Sequence, residues 1–209
     1  MASKLTKVDP LILPDHSYLD GGDDCFFLGE YTARAGYAFS STNDLIQNLK
    51  KPMDRRNRPE WRWKNWAINR AGETLREVIP DEWLESATIV PVPPSKAKDH
   101  ADYDDRLIKV LQRLGNGLNL DVRELVVQNT STAAAHESED RPRPRDLVQI
   151  YEIDAGQRRP MPKMLVIFDD LLTMGSHFKA MKIVLEREFP DAPIVGLFIA
   201  RRVPNTDAI

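Results

Sequence analysis

The strongest hydrophobic signal in the chain is Met164-Leu165-Val166-Ile167-Phe168, an unbroken apolar run that meets two adjacent carboxylates, Asp169 and Asp170. A short apolar run bounded by turn signals predicts a strand buried on both faces, as in a parallel sheet. Beyond Gly175 the apolar residues Phe178, Met181, Val184 and Leu185 return at helical spacing. The polar stretch Asp169 to His177 is therefore expected to be a tight strand-to-helix turn at the carboxyl end of a central strand. Open α/β sheets bind ligands there. The free N–H groups of such a turn, with a helix N-terminus behind them, suit an anion.

The same pattern predicts the remaining elements. Cys25 to Tyr31 and Ala35 to Phe39 read as two short strands or a hairpin. Ser41-Thr42-Asn43-Asp44 caps a helix carrying Leu45, Ile46 and Leu49 and stopped by Pro52. Glu60 to Ile79, between Pro59 and Pro80, predicts a longer helix. Its core stripe is expected to be Trp63, Trp66, Ala67, Ala71, Leu75, Val78 and Ile79. Ala87 to Pro91 is a strand ended by Pro93 and Pro94, since proline cannot donate to a ladder. A helix follows with Leu107, Val110, Leu111 and Leu114 buried, then strands at Val122 to Val127, Tyr151 to Ile153 and Ile194 to Ile199. Strands alternating with helices make a mainly parallel α/β sheet the economical fold. Residues 1–24 read as irregular with little core, and His16, Asp23, Asp24 and Cys25 match no zinc spacing.

Composition narrows the class. At 209 residues, with 42% hydrophobic and 29% charged residues, the chain is an ordinary globular protein. The net charge of −3 gives no global pull towards nucleic acid or anionic lipid. One cysteine excludes a disulfide framework. No apolar run approaches the ~20 residues that span a bilayer, so no membrane is expected. The N-terminus has no signal core, which points to a cytoplasmic protein. Arg55 to Arg58 and Trp61, Trp63 and Trp66 interleave charge with aromatics, a pattern that suits nucleic acid. Packing of the helix explains most of these residues, so nucleic acid is not the favoured partner.

Asp169-Asp170, Thr173, Gly175 and Ser176 after an apolar strand resemble the phosphoribosyl pyrophosphate (PRPP) motif of type I phosphoribosyltransferases. The resemblance implies that family's α/β fold, a mainly parallel sheet flanked by helices with a small N-terminal hood. Residues 1–85 would form the extension and hood, and residues 86–209 the core. It implies that Asp169 and Asp170 hold the ribose hydroxyls, directly or through Mg²⁺. Thr173, Met174, Gly175, Ser176 and His177 would wrap the 5′-phosphate. Ser95 and Lys96 would lie by the pyrophosphate, and the polar segment from Gln128 to Pro162 would be a lid bringing Arg141, Arg143 or Arg145. Met174 and His177 depart from the hydroxyl residues usual in that loop.

Leu45 to Lys51, Ile89 to Ser95 and Ala200-Arg201-Arg202 resemble the ComF-type branch of the family, which is linked to DNA uptake. The chain lacks that branch's four-cysteine zinc knuckle, and Ala101 to Arg106 differs from its Arg-Gly-Phe-Asn segment. The implied activity is transfer of phosphoribosyl from PRPP to a nucleobase-type acceptor, chosen by residues 25–80, with release of pyrophosphate. The alternative is a non-catalytic PRPP- or nucleotide-binding module, regulatory or serving DNA uptake or processing. A homodimer is compatible with either.

Overall fold

The computed structural model describes residues 4–128 and 142–204. Its strands are β1 (Thr6–Lys7), β2 (Cys25–Thr32), β3 (Thr88–Pro91), β4 (Asp121–Val122), β5 (Val126–Gln128), β6 (Tyr151–Ile153), β7 (Leu165–Leu172) and β8 (Ile194–Val203). Its helices are α1 (Ser41–Leu49), α2 (Trp61–Val78), α3 (Asp81–Ser86), α4 (Arg106–Leu114), α5 (Pro144–Val148) and α6 (Ser176–Glu188). Six strands form one sheet in the order β1-β2-β8-β7-β3-β4, while β5 and β6 pair separately. Every neighbour in the large sheet is parallel except β1 against β2. The fold is thus α/β with a mostly parallel sheet flanked by helices.

Three strand expectations change. The strand expected over Val122 to Val127 is divided between β4, which pairs with β3 in the main sheet, and β5, which pairs with β6. Cys25–Thr32 does not form a hairpin with the following segment. It pairs with β8 inside the main sheet, and Tyr37–Phe39 is a turn of 3₁₀ helix. The carboxylates also lie in β7 rather than in the turn, because β7 continues to Leu172 on its β8 side. On its other side the ladder with β3 ends at Pro91 opposite Phe168, with one further bond from Val92 N–H to the Phe168 carbonyl at 2.9 Å. Pro93 and Pro94 have no N–H to continue it. The two central strands therefore separate where Asp169 begins.

That parting falls at the switch point of the sheet. From β3 the chain steps outward to β4, and from β7 it steps the other way to β8. Connections leave the two middle strands in opposite directions, which opens a crevice at their carboxyl ends. Leu165, Val166, Ile167 and Phe168 are fully buried beneath it.

The face of α2 that packs is Lys64, Ala67, Ile68, Ala71, Gly72, Thr74 and Leu75. Trp63 and Trp66, expected in the core, are instead 45% and 39% exposed. The physical reason is close helix packing. A Cβ on Gly72 would lie 2.6 Å from Arg113 Cβ and 2.9 Å from the Val110 carbonyl, so α2 meets α4 across small residues where an indole has no room. Among the described residues no helix is long and apolar enough to cross a membrane. Replacing Trp63 or Trp66 by Ser should lower unfolding stability by less than ~1 kcal/mol. Gly72→Leu should cost roughly 1–3 kcal/mol by overpacking. Urea denaturation checks both, and core-sized losses at the tryptophans would contradict this packing.

Candidate functional site

The turn after β7 is held from behind by the N-terminal segment. The Tyr18 N–H donates to the Met174 carbonyl at 2.9 Å, and His16 Nδ1–H donates to the Thr173 carbonyl. Gly175 has φ 87°, and a Cβ there would lie 2.8 Å from Leu19 Cδ2, so both conformation and space require glycine. Burial lowers the His16 pKa, keeping the ring neutral, and its Nε2 has no partner among the described residues. Asp23 is clamped by Lys179 at 2.6 Å and Lys182 at 2.7 Å, which ties the same segment to α6. Residues 1–24 were expected to carry little core, yet the part from Val8 onward forms a brace with Val8, His16 and Leu19 buried. Among the described residues no cluster of three or more His, Cys, Asp or Glu could hold a metal ion.

The two carboxylates diverge because successive side chains on a strand point to opposite faces. Asp170 is buried and accepts from Lys50 Nζ at 2.9 Å and from Arg106 Nε at 2.7 Å. Despite burial, these two cations hold its carboxyl well below the usual carboxylate range. Arg106 also reaches Asp104 at 2.9 Å, and Asp104 accepts from Lys64 at 2.7 Å. Lys64 itself is buried and donates further to the Leu49 and Lys51 carbonyls at 2.9 and 2.8 Å. Its three donors are all used, which offsets the burial that lowers its pKa. Asp169 is half-buried and accepts only the Asp170 N–H, at 2.8 Å, among the described residues. Burial, and then the Asp170 charge, push its carboxyl well above the usual range.

His177, the second residue of α6, is fixed by Tyr151. The phenol is buried, which raises its pKa, so it stays protonated and donates to His177 Nδ1 at 2.6 Å. Burial also pushes the imidazole down to about 4, so the ring is neutral and carries its proton on Nε2. Ser176 and His177 open a helix whose first N–H groups have no intrahelical acceptor.

One cavity of about 870 Å³ lies at the carboxyl ends of β2, β3, β7 and β8. It brings together Asp169, Asp170, Thr173, Ser176 and His177 with Ser95 and Lys96 from the loop after β3. Met174 and Gly175 shape the turn without lining the cavity. Arg143 and Arg145 are exposed around the start of α5 and do not line it either, although Pro142 does. Arg141 lies outside the described residues. Lys50, Lys64, Asp104 and Arg106 were not anticipated as a site network. One signal was available, since Lys64 shares a helical face with Ala67, Ile68 and Ala71, and a lysine on an apolar face needs an acidic partner. No protein-family model matches the chain, and no curated protein matches it.

Two substitutions separate the roles of these charges. Lys64→Met leaves Asp104 and two carbonyls short of a donor and should cost roughly 3–5 kcal/mol of unfolding stability. Asp169 behaves oppositely. Its raised folded pKa means its favourable contribution is complete below the ordinary carboxylate range and is lost as pH rises through the raised value. Asp169→Asn should therefore match or exceed wild-type stability at pH 8 and weaken its pH dependence. Denaturation at pH 5 and pH 8 measures this, and a variant destabilised at pH 8 would refute the assignment.

Proposed function

We propose that the cavity binds PRPP and transfers its phosphoribosyl group to a ring nitrogen of a nucleobase-type acceptor, on a type I phosphoribosyltransferase fold. The observation that supports this best is a divergent acid pair at the switch point, running directly into a glycine turn and a helix N-terminus. A ligand that carries hydroxyls next to a phosphate uses both features. The ribose hydroxyls meet Asp169, and the 5′-phosphate meets Thr173, Ser176, His177 and the first N–H groups of α6. The Nε2–H of His177 is a donor suited to a phosphate oxygen, so histidine replaces the usual hydroxyl residue without losing its function. Ser95 and Lys96, across the gap between β3 and β7, face the pyrophosphate.

In the reaction the C1–O bond to pyrophosphate breaks while a C1–N bond forms; an acceptor with a ring N–H gives up that proton to the departing pyrophosphate, and an acceptor with a bare ring nitrogen becomes a cationic ring. Positive charge builds on the ribose and negative charge on the departing pyrophosphate. The chain's own residues hold the ribose, neutralise the leaving group and limit water in the cavity. Asp169 fits Mg²⁺, a hard cation usually held by one or two carboxylates together with phosphate oxygens and water. Asp170 does not fit in this arrangement, because Lys50 and Arg106 occupy its two oxygens. Bound by Asp169, the ion would supply charge neutralisation at the pyrophosphate. Asp170 instead sets the position and charge of its neighbour.

A second reading attaches to the surface of α2. Trp63 and Trp66 are exposed and meet edge to face at 6.4 Å, and Arg62 lies 5.0 Å over the Trp63 ring. Arg55, Arg56 and Arg58, in the segment that leads into α2, are exposed as well. Exposed indoles among arginines suit stacked bases and phosphates of a single strand, so this face is proposed as a nucleic-acid contact.

Calorimetry with PRPP and Mg²⁺ should show binding that Asp169→Asn removes, and absence of wild-type binding would overturn the first reading. A nucleobase panel should then release pyrophosphate. Binding without release across the panel would select the non-catalytic module. For the second reading, an oligothymidylate should quench tryptophan fluorescence with an affinity that falls steeply with salt. A Trp63→Ala, Trp66→Ala variant should lose that binding, and unchanged binding would remove α2 from consideration.

A further inference from the structure

The charges that line the cavity can be sorted by whether a partner already neutralises them. Asp170 and Asp104 are held by Lys50, Lys64 and Arg106. Glu124 accepts from Lys98 at 2.6 Å and from the Tyr103 hydroxyl at 3.3 Å, and Asp105 is paired with Lys109 at 2.8 Å. Asp102 lies 4.0 Å from His100. Lys96, Arg34 and Arg202 also line the cavity, and none of them has an ion pair among the described residues. The Arg202 Nε is buried with no hydrogen-bond partner among those residues. Arg34 is held at φ 65°, a left-handed conformation that costs energy in a residue with a Cβ. Backbone strain of that kind collects at ligand sites.

The order of the strands separates these cations by role. Lys96 follows β3, Asp169 lies in the carboxyl-terminal half of β7, Arg202 lies near the end of β8, and Arg34 follows β2. The sheet runs β3-β7-β8-β2, so the leaving-group loop and the two arginines flank the ribose acid from opposite sides. Displacement at C1 needs the incoming nitrogen on the side away from the departing oxygen. The acceptor therefore lies over the ends of β8 and β2. There the half-buried Tyr31 stands in register opposite Arg202. An uncharged nucleobase brings no charge to the two guanidiniums that line this end of the cavity, whereas a carboxylate matches the planar fork of a guanidinium.

We infer that the acceptor is a nitrogen heterocycle bearing a carboxylate, gripped by Arg34 and Arg202 beside Tyr31. This inference rests on the PRPP reading for the transfer step, but the anion site itself stands on the two arginines that line the cavity without an ion pair among the described residues. The tests use pyridine-3-carboxylate and pyrimidine-4-carboxylate, with adenine and uracil as uncharged counterparts. In calorimetry the carboxylates should bind the protein alone, and Arg34→Gln should weaken them by roughly tenfold or more. Arg202→Lys should do the same while keeping a cation at this position. PRPP affinity should be unchanged in both variants, and thermal melts establish that each is folded. With PRPP and Mg²⁺ present, pyrophosphate release should follow the carboxylates and not adenine or uracil.

Turnover of the uncharged bases alone would overturn the inference and leave the PRPP reading standing. Loss of PRPP binding in the arginine variants, with carboxylate binding intact, would reassign the arginines to pyrophosphate and overturn it equally. Carboxylate binding that depends on both arginines, with no PRPP binding in the wild type, would keep the anion site and remove the transfer reaction. If neither ligand bound, both proposals would fall.

Discussion

The site depends on one buried carboxylate, Asp170, held between Lys50 and Arg106. Each cation comes from a different layer of the molecule: Lys50 ends α1, Arg106 begins α4, and Asp170 lies near the end of β7. Removing an ion from water is costly, and only close opposite charges with satisfied hydrogen bonds offset that cost. The network meets this condition by extending through Asp104 to Lys64, whose remaining donors end on backbone carbonyls. It pins α1, α2 and α4 to the carboxyl end of the central strand. It also decides the chemistry of the next residue, because a permanently ionised Asp170 disfavours ionisation of Asp169 beside it.

Around that fixed point the cavity is made by an interruption of pairing. Prolines after β3 remove the donors that would continue its ladder, while β7 runs on against β8. Asp169 is therefore flanked by a strand on one side and open space on the other. On the far side of the turn, His16, Tyr18 and Leu19 occupy the space behind Thr173, Met174 and Gly175. A loop supported in this way keeps its N–H groups in place before any ligand arrives, so less entropy is lost on binding. Tyr151 does the same for His177 by settling which ring nitrogen carries the proton.

The proposed chemistry follows from the distribution of satisfied and unsatisfied charge. Among the described residues, acids on the α4 side are matched by lysine and arginine, whereas Asp169 and the arginines at the ends of β2 and β8 have no ion pair. A cavity in which, among the described residues, the central acid and the cations at both ends have no ion pair suits a ligand set that is hydroxylated centrally and anionic at its extremities. PRPP together with an acidic acceptor has that distribution.

Much of this was legible along the chain. The apolar run of β7, the caps of α1 and the helical spacing of α4 and α6 are local signals, and each predicted its element because burial and hydrogen bonding there follow the short-range pattern. The acid pair, the glycine turn and the proline-ended strand were likewise local, and they converge on one cavity. The errors in side-chain burial came where hydrophobicity was taken to mean burial, and the errors in strand pairing came where partners were sought among sequence neighbours. Trp63 and Trp66 are apolar yet exposed, and Lys64 is charged yet buried, because the contact between α2 and α4 selects for small side chains and the ion network needs a cation. The partners Lys50, Asp104 and Arg106 are far from Asp170 in sequence, and their meeting depends on how three helices seat on the sheet. What the sequence determined by itself was the set of elements and the residues able to do chemistry. Only the tertiary structure decided which charges neutralise one another, because electrostatic pairing depends on distance in space and on burial, and neither is a property of sequence separation.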